Sequence, residues 1–250
     1  MGSLAAITPF SLSDYPGETA CIAWFSGCNL RCLYCHNPNL VMNRGEKPES
    51  ELIAFLEKRR GLLSAVVFSG GEATLCPTLP ALARQAKALG YKTKLDTNGA
   101  TPDMLTRLFE EQLIDYVALD YKCPASRAEA LLGTDKFVAA FEASLKKLVA
   151  YSHDGLNLEI RTTYHADWMS EDELSGMIDD LDRLNYRGTY YIQNIFAYGE
   201  QTLGKIEKPV RSFDREKLPH PKNFKLAFRN FPDAVKREKI ACYSRTKKIP

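Results

Sequence analysis

Residues 19–38 read TACIAWFSGCNLRCLYCHNP: a short apolar run that ends at a glycine and opens into a loop carrying Cys28, Cys32 and Cys35. The run has the β-branched and aromatic composition of a strand. The loop presents three thiols at Cys-x3-Cys-x2-Cys spacing. A cubane iron–sulfur cluster takes one cysteine per iron, so three cysteines leave one iron open to another ligand. Taken alone, the triad leaves two other readings open. Structural zinc uses Cys-x2-Cys as a half-site, with His36 or the scattered Cys21, Cys76, Cys123 and Cys242 as further donors. A chance grouping among seven cysteines is the third. A disulfide scaffold fits poorly, because the count is odd and the first residues do not read as a signal peptide.

Composition bounds the function classes. The 250 residues are 45 % hydrophobic, enough for a sizeable core, with a formal net charge of +2. Bulk charge therefore makes no case for nucleic acid, and no run approaches the ~18 apolar residues of a membrane span. Unpaired cysteines lead us to expect a reducing cytoplasm. Basic residues are dense from Lys205 onward, notably at 236–239 and 245–248. We expect a barrel unit over residues 1–204 and a basic extension over 205–250 that packs on the barrel or trails from it. A solvated surface is the plain reading of that extension; a docking patch for an acidic partner is the alternative.

Working outward from the loop, β-rich runs alternate with amphipathic stretches. Strands are expected at 19–25, 65–69, 93–96, 116–120, 158–163 and 190–195. Helices are expected at 50–60, 79–89, 102–111, 136–150 and 170–184, where apolar residues recur at helical spacing, as in Leu52, Phe55 and Leu56. Thr101-Pro102-Asp103 and Ser170 with its following acidic residues are helix-start signals. Strand–helix alternation implies parallel strands with crossover helices, hence an α/β fold: an incomplete, TIM-like (β/α)6 barrel with the cysteine loop after its first strand.

In such barrels functional groups gather where strands end. The second expected strand ends at Ser69-Gly70-Gly71-Glu72, the third at Asp96-Thr97-Asn98-Gly99 and the fourth at Asp120-Tyr121-Lys122. The fifth carries Arg161 near its end, and the sixth ends at Gln193-Asn194-Ile195-Phe196. Each has a plain alternative: Gly70-Gly71 and Asn98-Gly99 read as turns, and Asp120 with Lys122 as an ion pair. Their shared position at strand ends favours one mouth beside the cysteine loop.

Cys-x3-Cys-x2-Cys with Tyr34 before the last cysteine, followed by Gly-Gly-Glu after a strand, resembles the radical S-adenosylmethionine superfamily. The stretches 14–17 (DYPG), 35–38 (CHNP) and 95–99 (LDTNG) resemble glycyl-radical-enzyme activases. Within these, the chain is most similar to the long form that serves anaerobic ribonucleotide reductases, with pyruvate formate-lyase activases near. The resemblance covers about residues 7–200.

That resemblance implies a [4Fe–4S] cluster on Cys28, Cys32 and Cys35, with S-adenosylmethionine chelating the open iron through its amino and carboxylate groups. Glu72 is implied to accept a hydrogen bond from the ammonium, while Gly70 and Gly71 allow close backbone approach. Lys122 and Arg161 match positions that bind the carboxylate and ribose side, and Tyr34 and Asn37 positions that contact adenosine. Asn98 and Gln193 join them as cofactor contacts at the strand ends. Asp96, Thr97 and Asp120 match a monovalent-cation site of pyruvate formate-lyase activases. A one-electron donor such as flavodoxin or ferredoxin is implied, as is a partner enzyme whose glycine loses hydrogen to a 5′-deoxyadenosyl radical. The 14–17 turn is expected either to touch that partner or to be a plain surface turn. Two departures stand out: Ala73 replaces a frequent proline, and Phe196 stands near where pyruvate formate-lyase activases stack a histidine on adenine. No second cluster spacing is present, so the remaining cysteines are read as bystanders.

Overall fold

The computed structural model describes residues 2–195 and 202–231. Its strands are β1 (Ser3–Ser11), β2 (Ala20–Ser26), β3 (Ala65–Gly70), β4 (Lys92–Thr97), β5 (Tyr116–Asp120), β6 (Asn157–Tyr164), β7 (Thr189–Asn194) and β8 (Lys225–Arg229). Among the described residues they form one eight-stranded sheet in sequence order. β2 to β8 are parallel throughout. The six expected strands are β2 to β7. The crossovers include α2 (Glu49–Arg59), α3 (Leu79–Ala88), α4 (Pro102–Glu110), α6 (Val138–His153) and α7 (Glu171–Arg183), each within a few residues of expectation. Two short helices, α1 (Pro38–Met42) and α5 (Ala128–Leu132), complete the helical layer.

Two strands go beyond the sequence reading. β1 pairs antiparallel with β2, with register shifts on either side of the Ala6–Thr8 pairs. Its half-buried, irregular pattern and Pro9, which lacks an N–H, gave no clean alternation. β8 lies in the basic extension and extends the parallel sheet beyond β7.

Side chains of β2 show how the sheet divides its two faces. Cys21, Ala23 and Phe25 join the large core under the helices, where Phe25 meets Phe68 at 6.3 Å. Ala20 and Ile22 point to the barrel interior and pack with Tyr15, Ala65 and Val67. This apolar plug sits where the strands begin. Tyr15 is 5 % exposed and its ring lies 5.5 Å from that of Tyr116.

The plug corrects one expectation. The 14–17 turn lies below the start of β2, so the seven residues of that strand, roughly 20 Å of chain, separate it from the strand ends. It anchors the barrel floor and does not reach the mouth.

Candidate active site

The cysteine loop is held by backbone pairing on both flanks. The Arg31 and Leu33 N–H groups donate to the carbonyls of Leu132 and Leu131 at the end of α5, at 2.9 and 3.0 Å. On the other flank, Leu203 N–H donates to the Cys35 carbonyl (3.1 Å) and Gly204 N–H to that of Leu33 (2.7 Å). Arg31 also donates from its guanidinium to the carbonyls of Cys28 and Leu30. With these groups satisfied, the loop holds its shape through its own hydrogen bonds. Burial pushes the Cys28 thiol up to about 12 and raises Cys32, outweighing the pull of the Lys122 ammonium on both.

The Gly-Gly-Glu turn locks β3 to the start of that loop. Gly71 N–H donates to the Phe25 carbonyl (2.8 Å), and Glu72 N–H to that of Gly27 (2.9 Å). Gly70 has φ +133°, a conformation L side chains rarely adopt. At Gly71 a Cβ would fall inside the van der Waals shell of the Gly27 carbonyl oxygen. The Glu72 carboxylate is buried and aimed at the end of β4. Its Oε1 accepts from the hydroxyls of Thr74 (2.5 Å) and Thr97 (2.8 Å), and its Oε2 from Asn98 N–H (2.7 Å). Burial raises its pKa despite these donors. Oε2, with one donor, keeps the freer lone pair. The Asn98 amide in turn donates to Asn29 (2.8 Å) and lies 3.8 Å from Cys28 Sγ.

Charged side chains of β4 to β6 fill the upper interior. Asp120 accepts from Arg161 Nε (3.0 Å) on one oxygen and from Lys122 Nζ (2.9 Å) on the other. Burial works against its charge, but Arg161 and Lys122 win and hold it down at about 2. The same contacts keep Arg161 and Lys122 firmly protonated against their own burial. Asp96 accepts from Ser69 on one oxygen (3.1 Å) and from Lys94 on the other (2.6 Å).

These groups line one cavity of about 280 Å³ at the carboxyl ends of the strands, near the lower end of the ~300–1,000 Å³ typical of small-molecule sites. Cys28, Cys32 and Cys35 line it from the loop, with Tyr34 and Asn37. Gly70, Gly71, Glu72, Asp96, Thr97 and Asn98 line it from β3 and β4, and Asp120, Lys122, Arg161 and Gln193 from β5 to β7. Phe196 lies outside the described residues, as does Cys242. Tyr34 is buried, its hydroxyl donating to the Lys122 carbonyl (3.2 Å), which leaves its ring to face the cavity. Among the strand residues that line it, Trp24 and Thr163 were missed, whereas Ser69 was named as a strand end. Period-two counting along each strand finds them, since Trp24 shares the inward face of Ala20 and Ile22.

The Radical SAM superfamily model matches residues 22–165. The chain belongs to the radical SAM superfamily. A Methanocaldococcus jannaschii protein, provisionally named a glycyl-radical enzyme activating enzyme, is 30 % identical over 231 residues, covering 89 % of this chain and 88 % of that protein. A pyruvate formate-lyase-activating enzyme of Clostridium pasteurianum is 32 % identical over 155 residues, covering 57 % of this chain and 64 % of that protein. Among solved structures, Streptococcus suis SuiB bound to precursor peptide SuiA superposes with a TM-score of 0.62 at 19 % identity, covering 83 % of this chain and 48 % of that one. At that identity the likeness shows the fold.

As a radical SAM protein, the chain uses a [4Fe–4S] cluster and S-adenosylmethionine. The donor set fits. A single tetrahedral ion needs its ligands to converge, and among the described residues no three His, Cys, Asp or Glu do. A cubane asks instead for one thiolate per iron, and three thiols on one wall of a shared cavity supply that. The close approach at Gly70 and Gly71 is to the Phe25 and Gly27 backbone, and it holds the cysteine loop against β3. The monovalent-cation set fits less well. Each oxygen of Asp96 and of Asp120 already accepts one hydrogen bond from a cation or hydroxyl and keeps one lone pair, and the Thr97 hydroxyl donates to Glu72, so an ion would compete with protein donors for these oxygens.

Proposed function

We propose that this radical SAM protein is an activase that takes hydrogen from a backbone glycine of a partner enzyme, an anaerobic ribonucleotide reductase. The observation that supports the reading is the cavity itself: three cysteines and a ring of fixed charges meet at one mouth at the carboxyl ends of the strands. The relatives named as glycyl-radical and pyruvate formate-lyase activating enzymes support the reaction class, as do the stretches at 35–38 and 95–99; the choice of partner rests on the overall resemblance to the long form.

When bound, the cluster and S-adenosylmethionine supply a one-electron route to a carbon radical strong enough to break a C–H bond. The chain's own residues hold and enclose that chemistry. Cys28, Cys32 and Cys35 hold the cluster. Lys122 and Arg161, kept charged by Asp120, attract the cofactor carboxylate and ribose side. Glu72 Oε2 accepts from the ammonium, while Thr97 and Asn98 keep its carboxylate pointed. Tyr34, Asn37 and Gln193 face the adenosine side, and Phe196 is assigned to the same role. A site drained of loose water protects a reactive radical. A flavodoxin or ferredoxin in a reducing cytoplasm would deliver the electron.

Anaerobic mixing of reconstituted protein, reductant, S-adenosylmethionine and the reductase tests the reading. The expected outcome is a doublet glycyl-radical EPR signal on the reductase. Release of 5′-deoxyadenosine without that signal would sink the partner assignment. If a small molecule or peptide then gained a mass change instead, the protein would be a modifying radical SAM enzyme.

A further inference from the structure

Lys94 stands out among the charged residues of the barrel interior, because the sequence gives no reason for a lysine on a buried strand. It is 2 % exposed, and a lysine is almost never this buried without a partner. Lys94 and Asp96 are two apart on β4 and so share one face. The Lys94 Nζ reaches Asp96 Oδ1 at 2.6 Å and lies 5.6 Å from the centre of the Tyr116 ring. Ser69 occupies the other Asp96 oxygen.

The surrounding charges argue against a second cation. Four cationic side chains, Lys94, Lys122, Arg161 and Arg229, face four carboxylates, Asp96, Asp120, Glu159 and the buried Glu72 of the same cavity. The interior set therefore already balances (4 − 4 = 0), with no carboxylate in surplus for a further cation. An entering ion would exchange its hydration for oxygens that already have donors, beside the ammonium of Lys94.

We propose that the Lys94 ammonium is the built-in cation of this site. It takes the place of the monovalent ion expected beside Asp96, holds that carboxylate at the cavity wall, and makes S-adenosylmethionine binding independent of sodium and potassium. Lys94 is a positioning residue that acts through Asp96. The proposal rests on the superfamily chemistry and not on the choice of protein partner.

The test compares wild-type and Lys94→Met holoprotein in choline, sodium or potassium chloride at equal ionic strength. It reads S-adenosylmethionine dissociation constants and 5′-deoxyadenosine formation. Wild-type values are expected to agree within about twofold across the three salts. Lys94→Met is expected to lose about tenfold in affinity in choline and to recover most of it in sodium or potassium, an order-of-magnitude coupling for one buried charge. Wild-type protein that weakens about tenfold in choline would overturn the proposal. So would Lys94→Met protein that binds normally in choline, or a loss that no ion restores, which marks a merely structural pair. Should the variant fail to fold, the wild-type salt series decides alone. Wild-type protein that binds no S-adenosylmethionine in any salt would count against the cofactor assignment instead, a separate failure.

Discussion

At Cys28 burial and function pull in opposite directions. The thiol is pushed up to about 12, yet only thiolates bind iron, so cluster loading must release protons. For an acid raised this far, the thiolate fraction grows about tenfold per pH unit up to that value, whereas an ordinary thiol levels off near 8.5. Alkylation of Cys28 in apoprotein is therefore expected to accelerate about tenfold per unit from pH 7 to 9 without levelling. Site-resolved mass spectrometry checks this, and a plateau near pH 8.5 would refute it. The three cysteines were legible because their spacing is local. The partners that set their chemistry were not. Asn98 comes to 3.8 Å from Cys28 Sγ across 70 positions of sequence, and the Lys122 ammonium acts on Cys28 and Cys32 from just beyond the end of β5.

Among elements, the turn after β3 is the least forgiving. Gly71 sits where any Cβ would press on the Gly27 carbonyl, and both neighbouring backbone bonds hold the cysteine loop to β2 and β3. Gly71→Ala should part that contact and lower the iron bound per chain after reconstitution. Gly176, within α7, has open space where a methyl group would stand, with no neighbouring atom within 4 Å. Gly176→Ala should stabilise the protein by roughly 0.5–1 kcal/mol, because alanine loses less backbone freedom in a helix. Iron assay and thermal unfolding separate the two; full iron in Gly71→Ala would remove the steric argument. The parallel strands and their crossover helices were legible from periodicity of two and 3.6. β1 and β8 were not, since an edge strand with proline and irregular pairing, and a short strand after a long connection, carry little of either signal.

For the whole molecule, the sheet is closed from its far side by residues after β7. Phe224 packs on Tyr186 and Tyr190 at 5.5 and 6.3 Å, beside the start of β8 and away from the mouth. Buried Glu171 meanwhile binds Arg211 and the Asp214 N–H. Phe224→Ala is expected to cost about 3 kcal/mol through lost burial and a cavity, or roughly 6–12 °C in Tm for a domain of this size. Iron content and cofactor binding should persist. Thermal unfolding alongside iron assay checks it, and loss of iron at unchanged Tm would mean that this end communicates with the mouth.

The sequence by itself determined the three cysteines, the Gly-Gly-Glu turn and the polar groups at strand ends, because each is a local pattern and parallel α/β strands end on one side. Only the tertiary structure decided which charges pair and what holds the loop. The ladder brings Lys94, Asp96, Arg161 and Arg229 into one interior, sets Leu203 and Gly204 against the cysteines, and sends Tyr15 to the barrel floor. Those contacts depend on strand order and register, and register is a property of the whole sheet.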